Sequence, residues 1–96
     1  MTSVESAPTV GLSIISTFVW SGMEPLRLVI HHHDGTWDFL CNTTSEDHHM
    51  ITIHTAEVFS RFARALQPLR TLPAGHLAER DGLYDEWHIE ENTEQE

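Results

Sequence analysis

The sequence predicts an α+β domain: a small antiparallel sheet of three to five strands with one amphipathic helix packed on one face. Three observations carry this. Apolar and polar residues alternate on both sides of Asp34-Gly35 and again over residues 50 to 54, the period-two pattern of half-buried strands. Phe59, Phe62, Ala63 and Leu66 recur at spacings of three and four, which is a helical stripe. A chain of 96 residues has room for one core and no second.

Residues 1 to 8 are small and polar and read as a flexible N-terminus; the single domain spans 9 to 89, and 90 to 96, "EENTEQE", form an acidic tail. From Thr9 to Trp20, "TVGLSIISTFVW", β-branched and aromatic residues favour a strand that ends at the Ser21-Gly22 turn. Next comes "LRLVIHHHDGTWDFLC", read as a hairpin with a two-residue turn at Asp34-Gly35. That turn sets His32 opposite Trp37, His31 opposite Asp38 and Ile30 opposite Phe39. One face then collects Leu28, Ile30, His32, Trp37, Phe39 and Cys41 as core, and the other collects Val29, His31, His33, Asp38 and Leu40.

Residues 42 to 48 read as a surface loop, and "MITIH" at 50 to 54 as a strand with Ile51 and Ile53 inward. Thr55 suits a helix N-cap and Pro68 a helix stop, so one helix fills the interval. A loop through Pro73 and Gly75 leads to a short strand from His76 to Arg80. After a turn at Asp81-Gly82, Trp87 and Ile89 make the last anchor.

Fifteen acidic residues against five basic ones give a net charge of −10 with histidine neutral. A nucleic-acid backbone would repel such a surface. All five basic residues are Arg, so the chain has no Lys for a Schiff base or a nucleotide phosphate cradle. The lone Cys41 cannot form an intramolecular disulfide and fits a reducing compartment. Without a signal-peptide pattern or a long apolar run, the expectation is a cytoplasmic chain with no membrane partner.

Catalytic signatures are missing from the sequence. It has no G-x-S-x-G elbow, and Cys41 falls on the inner hairpin face. A divalent metal has one candidate site: in the assigned register His31, His33 and Asp38 share the outer face, a two-histidine, one-carboxylate arrangement. The plainer reading of those residues is a cross-strand polar pair beside an exposed turn, and it is preferred, so no cofactor is expected. Charge points elsewhere. Residues 79 to 96 hold eight acids and one Arg, while 56 to 70 hold three Arg and Glu57. An acidic segment edged by aromatics is what a binder of a basic protein presents, which nominates Tyr84, Asp85, Glu86 and Trp87. The leading expectation is a non-enzymatic module that binds a basic protein.

The segments "HDGTWDFL" and "LPAGHLAER", followed by Trp87, resemble small bacterial domains with a Trp-x-Phe-Leu hairpin and a Leu-Pro-x-Gly-x-x-Ala-x-Arg motif. More distantly the chain is similar to immunity-type domains, which shield bacteria from toxins. The likeness covers roughly residues 18 to 88. It implies a fold and supplies no mechanism.

Overall fold

The computed structural model describes residues 11–41, 50–82 and 86–92. The chain runs β1 (Leu12–Ser16), α1 (Thr17–Ser21), β2 (Leu28–His31), β3 (Trp37–Leu40), β4 (Met50–His54), α2 (Thr55–Arg61), α3 (Ala63–Leu66), a 3-10 turn (Gln67–Leu69), β5 (His76–Glu79) and β6 (His88–Glu91). The α+β class holds, but the sheet is larger and mixed: six strands in the order β4-β1-β3-β2-β5-β6. β1 and β3 are parallel and every other pair is antiparallel. The helix expected between Thr55 and Pro68 is two short helices and a 3-10 turn, and a further short helix, α1, occupies the end of the segment expected to be the first strand.

Local chemistry explains two of these differences. Thr17–Ser21 turns helical despite its β-branched residues because Ser16 caps it, accepting the Phe18 amide on Oγ, and Gly22 closes it at φ +86°. Between α2 and α3, Phe62 leaves helical geometry at φ −110°, ψ 39°. The break resets the phase, so Ala63 is exposed, while Leu66, Leu69 and Leu72 reach the core. Pro68 sits at the start of the 3-10 turn instead of ending the helix outright, where its missing amide costs nothing. Thr55 is a buried first helical residue, and His54 takes the cap position. The Thr55 hydroxyl lies 2.6 Å from that of Ser13 on β1.

The helices cover one face of the sheet. Ile15, Val29, Phe39, Cys41 and Ala78 are fully buried beneath Val58, Phe59, Leu66 and Leu69. Phe59 stands edge-on to Trp37 at 5.2 Å and to Phe39 at 5.8 Å between centroids. Such T-shaped pairs add about 0.5–1.5 kcal/mol beyond the area they bury. Ile51 and Ile53 pack against this core from β4, as the alternation predicts. At the far edge, β6 carries Glu90 and Glu91, the first two residues assigned to the acidic tail, into the sheet.

Candidate functional site

The hairpin that carries the histidines is offset by one residue from its expected register. His31 pairs with Trp37, Ile30 with Asp38 and Val29 with Phe39. The cause is the turn. His32 N–H donates to Thr36 O at 2.8 Å and Gly35 N–H to His32 O at 2.9 Å, so the loop holds three residues, His33, Asp34 and Gly35. Gly35 has φ +94°, the left-handed residue that such loops require. Asp34 Oδ1 fastens the turn by accepting the Thr36 amide at 3.0 Å and the Thr36 hydroxyl at 2.7 Å. These bonds hold the Asp34 carboxyl below its ordinary 3.8.

The one-step shift exchanges the faces of β2 while Trp37 and Phe39 stay inward. Val29 is core, and Leu28, Ile30 and His32 turn outward. His31 enters the helix-covered side, where its ring lies parallel to that of Trp37 at 3.9 Å. His31 and Trp37 form a non-hydrogen-bonded pair, the closer of the two antiparallel spacings. His31 Nδ1–H donates to Leu72 O at 2.8 Å. On the outer face His32 Nε2 meets Asp38 Oδ2 at 2.9 Å, both about a quarter exposed; at that exposure the pair contributes about 0–1 kcal/mol. His33 Nε2–H donates to Asn92 O at 3.1 Å.

The three histidines therefore point to three places. His31, His33 and Asp38 do not form the two-histidine, one-carboxylate face, and among the described residues no three His, Cys, Asp or Glu side chains converge to hold a metal.

Of the acidic contact set, Tyr84 and Asp85 lie outside the described residues. Glu86 is exposed. Trp87 is half-buried and acts as a clasp: its indole N–H donates to Ala65 O at 2.9 Å, and the Arg80 guanidinium stacks on it at 4.3 Å. Arg80 Nε in turn donates to Leu26 O. Beside the clasp is an open cleft of about 470 Å³ lined by Arg27, Glu79, Arg80, Asp81 and His88. Two cations face two carboxylates there, so no net charge selects an ion.

Sequence reasoning missed the outer face of the sheet. Leu12, Ile14, Leu28, Ile30, Leu40 and Leu77 all project away from the helices, Leu12 54% and Ile14 38% exposed and the others half-buried. No described element covers them. The registers put Thr52, Ile14, Asp38, Ile30, Leu77 and Glu90 in one row across the sheet, with Leu40, Leu28, Glu79 and His88 in the next. Glu79 and Glu90 thus border these aliphatic side chains on the β5–β6 side, Asp38 lies among them between Ile14 and Ile30, and Arg61, Arg64 and Arg70 are exposed on the helical layer. The signal for this face was the second apolar series, Leu12, Ile14, Leu28 and Ile30, interleaved with the core series.

Fold and site together define a two-layer α+β domain with a six-stranded mixed sheet whose second face is open among the described residues. No described helix is long and apolar enough to cross a membrane. No protein-family model matches the chain, and no curated protein or solved structure is significantly similar to it. The likeness to immunity-type domains rests on the residues quoted for it alone.

Proposed function

We propose that the chain is a non-enzymatic binding module whose open sheet face takes a basic amphipathic segment of another protein. The observation that carries this reading is the set of outward aliphatic side chains with Asp38 among them and Glu79 and Glu90 at their border, in a chain of net charge −10. Contiguous exposed apolar surface rimmed by polar groups marks an interaction site, and the carboxylates supply steering and partner choice. Glu86 extends the acid at the β6 end. If the immunity likeness is followed, the basic partner is a toxin.

The test uses a synthetic helical peptide with Leu at spacings of three and four and Lys on the opposite face as the probe. Amide chemical shifts should move along β1, β2, β3 and β5, and affinity should fall as salt rises. Ile14→Ser leaves the charge unchanged and should weaken binding about tenfold, the cost of one lost aliphatic contact. A peptide indifferent to that change, or one that perturbs the helical layer instead, would refute the reading.

A further inference from the structure

The two edges of the sheet are unlike. β6 ends in Glu90 and Glu91, the charged edge by which proteins discourage unwanted pairing. β4, "MITIH", carries no Asp, Glu, Lys, Arg, Pro or Gly, and among the described residues it pairs with β1 alone.

Its hydrogen-bonding phase can be worked out. Thr55 N–H donates to Gly11 O at 3.0 Å directly across the β1–β4 pair. Hydrogen-bonded and non-hydrogen-bonded positions alternate in an antiparallel ladder. With the register of Ile53 on Ser13 and Ile51 on Ile15, Ile51 and Ile53 direct their backbone groups at β1. Met50, Thr52 and His54 direct theirs outward.

We propose that this edge pairs with the β4 edge of a second copy of the chain, antiparallel and centred on Thr52. In that register Thr52 meets Thr52 of the second copy, and Met50 meets His54 at either end. All three are hydrogen-bonded positions, so every outward N–H and C=O of β4 finds a partner. Between them Ile51 faces Ile53 of the second copy, at the closer, non-hydrogen-bonded spacing, on the side that continues the core. A strand whose outward groups and side-chain sequence match under a two-fold axis fits an isologous contact. Charge makes the same choice. The carboxylates of β6 lie five strand spacings away, about 24 Å, beyond a Debye length of about 8 Å at physiological salt, whereas pairing through β6 would oppose Glu90 and Glu91 to their own copies. The pairing joins two six-stranded sheets into one and makes the aliphatic faces beside Leu12 and Ile14 continuous.

Sedimentation of the full chain should show a species of twice 11.0 kDa at high micromolar concentration. Because both copies are acidic, it should strengthen as salt rises, opposite to the salt response of the basic-peptide complex, so the two readings fail separately. Thr52→Pro removes one outward donor per copy and should raise the dimer dissociation constant about 30-fold, two bonds at roughly fivefold each. Thr52→Lys, an exposed position, sets like charges opposite each other and should weaken the dimer while leaving the circular dichroism spectrum unchanged. It reads out the contact even if the proline variant does not fold. Amide exchange at Thr52 should slow with protein concentration, while that at Ile53 stays constant. A chain that remains monomeric up to millimolar concentration overturns the proposal, and so does a dimer unaffected by Thr52→Lys.

Discussion

Replacing Gly75 with Ala tests how the hairpin, the start of β5 and the end of β6 are tied together. Gly75 N–H donates to His31 O at 2.7 Å, and Gly75 O accepts the Asn92 amide at 2.7 Å. Its φ is +85°, and an added Cβ would lie 2.7 Å from His33 Cε1 and 2.8 Å from His33 Nδ1. The left-handed backbone costs an alanine about 1–2 kcal/mol. The imidazole must also swing aside and abandon Asn92 O, a net loss of about 1 kcal/mol. Together these remove about 2–3 kcal/mol, which for a domain of this size lowers Tm by about 10–20 °C. Urea unfolding followed by tryptophan fluorescence measures the loss. In a His33→Ala background the same change should cost only its backbone share, leaving a coupling of about 1 kcal/mol in the double-mutant cycle. Equal penalties in the two backgrounds, or a wild-type penalty below about 1 kcal/mol, would refute the reasoning.

The buried hydroxyl pair Ser13–Thr55 gives a second expectation. Thr55→Val strands the Ser13 hydroxyl and should cost about 1–3 kcal/mol, and adding Ser13→Ala should recover part of that loss; a purely additive double mutant in chemical denaturation would contradict it. Asp34 gives a third. Bonds from the Thr36 amide, and then from the Thr36 hydroxyl, lower its pKa from 3.8. Its contribution to folding is therefore complete above that value and is lost as pH falls through the folded value. The stability gap between wild type and Asp34→Asn should narrow in acid, as measured by denaturation at a series of pH values, and a gap that does not change with pH would argue against the turn geometry.

Much of the fold was legible because its signals are local. Alternation located the strand at 50–54, and the aromatic positions Trp37 and Phe39 are inward in either register, since the turn length moves β2 and leaves β3 alone. The register itself was not legible from Asp-Gly. That pair serves a two-residue turn and also the last two positions of a three-residue loop, and the choice depends on the Asp34–Thr36 bonds that stabilise the longer one. The single step separates a supposed metal face from three histidines in three environments. The parallel contact of β1 with β3 was hidden for another reason: it joins Ser13 to Trp37 across a helix and a strand, and nothing local encodes it. Trp87 was legible as an anchor but not as a clasp on Ala65 and Arg80, because its partners are distant in sequence.

The placement of β2 bears on how the chain is made. β2 lies between β3 and β5, and its second neighbour arrives 45 to 51 residues after it, with Leu28 on Glu79 and His31 on His76. A nascent chain that has emerged as far as Leu72 can assemble four strands, yet it leaves the β2 backbone bare along one side until residues 76 to 79 follow. Copies caught in that state are the most prone to cross-pair, and a chain cut after Leu72 should aggregate at a lower concentration than one cut after Asn92.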